Sequence, residues 1–175
     1  ALPIWPIVLD PVLVAKGGAA LLEDDAVAVL REELLPLARL VTPNLPEAAR
    51  LCERSEADVL RDPEGACRAL VERGARDVLL KGGHAEGSEC SDLWWNGGRA
   101  VWLRAERIAT ANTHGTGCTL SAAIAAGLAA GLAPEAAIRG AKDYVTAAIR
   151  AAARQRLGAG HGPVHHMHAW WAADD

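Results

Sequence analysis

An α/β fold with a mainly parallel sheet is the expectation for this 175-residue chain, and three observations predict it. Short apolar runs recur at Ile7–Leu9, Arg39–Thr42 and Asp77–Lys81, and each runs into proline or glycine within two residues. Segments with apolar residues at helical spacing lie between them. Strands alternating with helices assemble into a parallel sheet, because each helix returns the chain across one face. A hydrophobic content of 51% is ample for one buried core at this length. No internal repeat or long linker divides the sequence, so residues 1–175 are read as one domain.

The elements follow in order. Ile7-Val-Leu is a short buried strand closed by Asp10-Pro11. Such a strand normally has neighbours from preceding βα units, so the chain is expected to be the C-terminal part of a larger domain, with the N-terminal part of the fold missing. After a loop (Val14–Leu22), Glu23–Leu35 has an acidic first turn and apolar Val27, Leu30 and Leu34, a helical pattern. Arg39–Thr42 is a strand stopped by Pro43. Pro46–Glu53 is a short helix with proline at its first position. Asp62–Gly74 carries an apolar face (Ala66, Leu70, Val71) and a terminal glycine, which makes another helix. Asp77–Lys81 is a strand that runs into Gly82-Gly83. Asp92–Asn96 and Arg99–Leu103, joined by Gly97-Gly98, form a hairpin. A small-residue helix follows Gly117, and a second helix covers Pro134–Arg156. The Gly- and His-rich tail, Gly158–Asp175, is expected to be irregular, with Trp170-Trp171 docked.

Composition excludes several classes. The net charge is −4 and the isoelectric point about 5.9, so the electrostatic footprint for nucleic acid is absent. No apolar run reaches the length of a membrane span. The opening Ala1-Leu-Pro-Ile-Trp-Pro lacks the basic region and cleavage site of a signal peptide. Cys52, Cys67, Cys90 and Cys118 have no CxxC pairing, which indicates neither a zinc site nor a disulfide framework. A cytoplasmic protein with reduced thiols is the expectation.

Asn112-Thr-His-Gly-Thr-Gly-Cys-Thr-Leu-Ser121 is the most informative stretch, and the helical run Ala122–Leu132 follows it directly. Two glycines let the backbone approach an anion, and the N–H groups of a new helix then face that anion. A helix N-terminus stabilises a thiolate, so Cys118 reads as a tuned base. A plain capping turn with an inert thiol explains the same residues. The third glycine of a dinucleotide fingerprint is replaced by Leu120, and no Walker A loop is present.

Three further motifs follow strands. Asp10-Pro11 offers a carboxylate for a magnesium-bound water, or an ordinary turn. Asn44-Leu-Pro-Glu47 offers two hard oxygen ligands for Mg²⁺ or its water shell, or a helix N-cap with an acidic first turn. Lys81-Gly82-Gly83-His84 offers a lysine for nucleotide phosphate, or a solvated strand-end turn. In a parallel sheet the carboxyl ends of strands share one edge, where ligands bind. The spacing of His161, His165, His166 and His168 does not match a zinc site, and the tail reads as a polar closing segment.

Taken together, these motifs resemble the hydroxymethylpyrimidine/phosphomethylpyrimidine kinases of thiamine biosynthesis, in the ribokinase-like superfamily. The pieces that carry the resemblance are Val8-Leu-Asp-Pro-Val-Leu-Val-Ala, Leu40-Val-Thr-Pro-Asn-Leu-Pro-Glu-Ala, Leu79-Leu-Lys-Gly-Gly-His, Thr113 through Ala125, Ala141-Lys-Asp-Tyr-Val-Thr-Ala-Ala-Ile and Gly160-His-Gly-Pro-Val. The resemblance implies a three-layer αβα fold and an ATP- and Mg²⁺-dependent kinase. It would phosphorylate 4-amino-5-hydroxymethyl-2-methylpyrimidine and then its monophosphate. The resemblance places an anion hole at Gly115, Thr116 and Gly117, with Cys118 as catalytic base and part of the substrate pocket. It assigns nucleotide contacts to Lys81, Gly83, Thr113 and His114, a pyrimidine-pocket position to Val12, and magnesium or phosphate contacts to Asp10, Asn44 and Glu47. It also implies a homodimer for the complete enzyme.

The chain departs from the family pattern in places. The family's first third, with much of the pyrimidine pocket, has no counterpart here, and Ala1–Pro6 does not match. Leu13 stands where methionine is usual, His165 where asparagine is common, and Met167 where phenylalanine is. The competing expectations are a pyridoxal or pyridoxine kinase of the same superfamily and a catalytically inactive nucleotide-binding fragment.

Overall fold

The computed structural model describes residues 6–15, 19–82 and 89–171. It forms two compact units, Ala1–Ala105 and Glu106–Asp175.

The first unit is built on the sheet. Strand β1 (Val8–Leu9) pairs in parallel with β2 (Leu40–Val41), and β2 in parallel with β3 (Asp77–Leu80). Strand β4 (Glu89–Asn96) runs antiparallel to β3 and continues through Gly97-Gly98 into β5 (Arg99–Glu106), giving the order β1-β2-β3-β4-β5. Helices α2 (Leu45–Cys52), α3 (Glu56–Arg61) and α4 (Pro63–Glu72) connect β2 to β3. Their apolar faces meet the central strands in a core that includes Leu35, Val41, Leu51, Val59, Leu70, Val78 and Leu93. β3 is buried at all four positions, as expected of a strand covered on both faces. β1 stands at one edge of this sheet, and its two residues are half-buried.

Two expectations need correction here. The helix expected over Glu23–Leu35 is α1 (Asp24–Val29), followed by a π-helical turn over Leu30–Leu34 and a 3₁₀ turn over Leu35–Leu37. Pro36 has no N–H to continue the i→i−4 ladder, so the pattern of backbone bonds changes as the helix approaches it. The second correction is α3, absent from the sequence reading. Ser55 caps it by accepting the Asp58 N–H at 3.1 Å, and Val59 anchors it in the core. Ser55 followed three residues later by Asp58 was the available signal.

The second unit is a helical pair. Helix α5 (Thr116–Ala129) and helix α6 (Pro134–Ala152) pack on each other, and Leu120 and Ile124 of α5 and Ala137, Ile138, Ala141 and Val145 of α6 are buried. Asn112 is buried, and its amide donates to the carbonyls of Ala152 and Gln155, both at 2.6 Å. The tail returns beside this pair. His114 N–H donates to the Gly162 carbonyl at 3.0 Å, and His165 N–H to the Ala148 carbonyl at 3.1 Å. The docked tryptophans are not found: Trp170 is 71% exposed and Trp171 62% exposed. The tail is held by these backbone bonds and by Val164, which is buried in place of the tryptophans. Among the described residues no helix is long and apolar enough to cross a membrane.

Candidate functional site

The parallel strands bring three of the sequence motifs to one edge of the first unit. β1 delivers Asp10, β2 delivers Thr42 and Asn44, and β3 delivers Lys81, which bridges in register with Asn44. This follows from topology, because the carboxyl ends of neighbouring parallel strands are adjacent. Lys81 Nζ lies 2.9 Å from Asp10 Oδ1 and 3.9 Å from Glu47 Oε2. Thr42, fully buried, donates its hydroxyl toward the same Asp10 oxygen at 3.3 Å and the Leu9 carbonyl at 3.4 Å. Thr42 escaped the sequence reading. Its signal was a hydroxyl at the end of an apolar strand, next to Pro43.

Asn44 and Glu47 form the helix cap of their motif. Asn44 Oδ1 accepts the Glu47 N–H at 2.9 Å, and Glu47 Oε2 accepts the Asn44 N–H at 2.8 Å, a complete capping box. The cap therefore uses one lone pair of the Asn44 oxygen. Glu47 also carries its charge into a site where it is only 3% exposed. Burial pushes its carboxyl above the ordinary value, against the pull of the Asn44 N–H and the Lys81 ammonium; nearby Asp10 pushes the same way as burial. Two carboxylates around one ammonium leave a net negative cluster of hard oxygens. That chemistry suits a hydrated divalent cation. Among the described residues no group of three His, Cys, Asp or Glu side chains is arranged to hold a bare metal ion. The cluster fits contact through a water shell and phosphate better than a closed cage.

Gly82 follows Lys81, and its N–H donates to Asp92 Oδ1 at 2.9 Å, so the buried Asp92 on β4 fixes the course of the chain after the lysine. Gly83 lies outside the described residues. Val12 follows Asp10 in a tight turn closed by its own N–H to the Asp10 carbonyl at 2.9 Å, and its side chain is 42% exposed.

The second unit holds the glycine loop. Gly115 is the N-cap of α5, at φ 82°, a left-handed conformation that glycine adopts without steric cost. No side chain caps this helix among the described residues, and its first turn has no acidic residue. The N–H groups of Thr116, Gly117 and Cys118 have no helical carbonyl to meet. The nearby carbonyls are engaged instead. Thr116 Oγ1 donates to the Thr113 carbonyl at 3.1 Å, Thr119 Oγ1 to Gly115 at 2.7 Å, and Ser121 Oγ to Gly117 at 3.1 Å. Donors stay open while acceptors are tied down, which is the polarity an anion requires. Cys118 is exposed in the first turn of this helix, and His114 is exposed just before the loop.

Comparisons with known proteins give the family. Residues 2–165 match the family described as phosphomethylpyrimidine kinase, and the chain belongs to that family. It is 55% identical over 168 residues to the hydroxymethylpyrimidine/phosphomethylpyrimidine kinase of Rhizobium meliloti, covering 94% of this chain and 62% of that protein. Among solved structures, it is similar to the ADP complex of Bacillus subtilis pyridoxal kinase, with a TM-score of 0.84, 38% identity, and coverage of 93% of this chain and 61% of that one. The pyridoxal kinase of Staphylococcus aureus in complex with AMP-PCP and pyridoxal gives a TM-score of 0.81 at 30% identity, over 93% of this chain and 57% of that one. The fold is thus ribokinase-like α/β. The chain spans just over three-fifths of the curated relative's length.

Proposed function

We propose that this member of the phosphomethylpyrimidine kinase family takes part in ATP-dependent phosphorylation of 4-amino-5-hydroxymethyl-2-methylpyrimidine and then of its monophosphate, in thiamine biosynthesis. The observation that carries the reading is the open first turn of α5, with Cys118 exposed upon it. The substrate hydroxyl oxygen attacks the γ-phosphorus, the bond to the ADP oxygen breaks, and the hydroxyl proton passes to Cys118 Sγ. The N–H groups of Gly115, Thr116 and Gly117 stabilise the charge on the transferred phosphoryl group. Lys81 contacts a nucleotide phosphate, and Thr113, His114 and Gly83 border the nucleotide. Val12 forms part of the pyrimidine pocket, as does Cys118. Magnesium bound with ATP would neutralise charge between the phosphates, with Asp10, Asn44 and Glu47 holding it or its water shell. The working enzyme is a cytoplasmic homodimer on this reading.

A second reading, phosphorylation of pyridoxal, is favoured by the likeness to the two pyridoxal kinases. ADP formation with each alcohol separates them. Turnover with hydroxymethylpyrimidine and its monophosphate well above that with pyridoxal is expected. The reverse order would favour the second reading. ATP binding without ADP formation from any acceptor would leave a nucleotide-binding fragment.

A further inference from the structure

The C-terminal tail reaches the glycine loop through one side chain. His166 Nε2 lies 3.0 Å from Thr119 Oγ1. That hydroxyl is also 2.7 Å from the Gly115 carbonyl oxygen, which can only accept. The single hydroxyl proton must therefore point to Gly115, since two oxygens at this separation with no proton between them repel. It follows that Thr119 Oγ1 accepts from His166, and that Nε2 carries a proton. The result is a directed chain of bonds from the imidazole N–H to the Thr119 hydroxyl and on to the carbonyl of the α5 cap.

His166 is itself held in place. Tyr144 on α6 donates its hydroxyl to the His166 carbonyl at 2.7 Å, and the neighbouring His165 N–H is fixed on Ala148. At the start of the tail, Gly162 lies so close to the Asn112 amide that a Cβ there would collide with it. The tail is thus fixed at both ends of the segment that presents the imidazole.

We propose that His166 is a positioning residue for the Gly115–Cys118 loop. It acts through Thr119 to hold the Gly115 carbonyl away from the anion and keep the first-turn N–H groups aligned. Polarisation along the chain strengthens the grip on that carbonyl. The role rests on the kinase reading for its catalytic consequence, but not for the geometry. The tail, read from the sequence as a polar closing segment, becomes the outer support of the loop.

The test uses the intact protein with His166→Ala, His166→Gln and Thr119→Val. In His166→Ala, kcat for phosphoryl transfer should fall about 10- to 100-fold, as expected for slight misplacement of a catalytic loop, with KM for ATP little changed. Glutamine retains a terminal N–H donor and should restore most of the rate. Thr119→Val should match the alanine variant, and the double variant should lose no more than either single one, because both interrupt one chain. Hydrogen exchange of the Thr119 amide, which is bonded to Gly115 at 2.9 Å, is read in the same proteins without substrate. It should quicken in His166→Ala and not in His166→Gln. Equal losses in the alanine and glutamine variants, additive losses in the double variant, or unchanged exchange in His166→Ala would overturn the proposal. If the wild type transfers phosphate to no acceptor, the kinase reading has failed and exchange alone decides the positioning role.

Discussion

Helices α2 and α5 both begin at a sequence motif singled out for binding, and they treat their first turns in opposite ways. At α2 the N–H groups of Asn44 and Glu47 are satisfied reciprocally by each other's side chains. At α5 no side chain among the described residues caps the helix, and the cap residue is a glycine in a left-handed conformation. The first arrangement stabilises a helix, whereas the second leaves donors available to a ligand. An uncapped helix end, on a helix long enough to carry a full dipole, is better suited to an anion than a capped one.

This contrast gives a ranked set of expectations. The largest effect belongs to Cys118→Ala. The side chain is exposed, so stability should change by no more than about 0.5 kcal/mol. Turnover should drop by about 10²–10⁴-fold if the thiol is the base. Wild-type turnover in this variant would remove Cys118 from the chemistry. Gly115→Ala comes next. A Cβ there would meet nothing within 4 Å, so the cost is conformational alone, about 1–2 kcal/mol for an alanine forced into the left-handed region. Denaturation and turnover measured together should show both losses, and a neutral outcome would mean that the cap can reorganise.

Asn44→Ala tests the other helix. Losing the cap should cost about 1 kcal/mol by denaturant unfolding. Phosphoryl transfer at saturating magnesium should suffer far less than in Cys118→Ala. A large catalytic loss with little loss of stability would instead make Asn44 a ligand first and a cap second.

The smallest effect is expected from Glu47→Gln, and it should depend on pH. Burial raises the Glu47 carboxyl above its unfolded value. A carboxyl raised on folding favours the protein while protonated, and that contribution is lost as pH rises through the folded value. The glutamine variant should therefore gain in thermal midpoint relative to wild type between acidic and neutral pH. Lys81 keeps its 2.9 Å partner Asp10 throughout. The same variant should require more magnesium for activity. A flat difference across pH would show that Glu47 is not strained by its burial.

Much of this was legible in the sequence because it is local. The order of strands and helices, the glycine loop and the α2 cap each depend on residues within a few positions of one another. The ambiguity at Asn44 and Glu47 could not be resolved that way. Capping and cation binding call for the same oxygens, and only the approach of Lys81 from β3 shows that the capping carboxylate also belongs to a charged cluster. Thr42 on Asp10 and His166 on Thr119 were out of reach for the same reason: each bond joins distant parts of the chain and has no spacing signature. The π-helical turn after α1 failed differently, since its apolar spacing is that of an ordinary helix and only the backbone bonds near Pro36 distinguish it.

The pairing of β1 with β2 and of β2 with β3 has a kinetic consequence. Both pairings join strands separated by long stretches of chain, whereas α5 and α6 are neighbours across a short turn. Contacts between distant positions form slowly, because loop closure must precede any reward from pairing. The helical pair should therefore be protected early in refolding, and the parallel strands late. Asp10 and Lys81 sit beyond the ends of β1 and β3, on opposite sides of β2. Their ion pair can close only after both slow pairings are complete, so its appearance would time the last step in folding of the first unit.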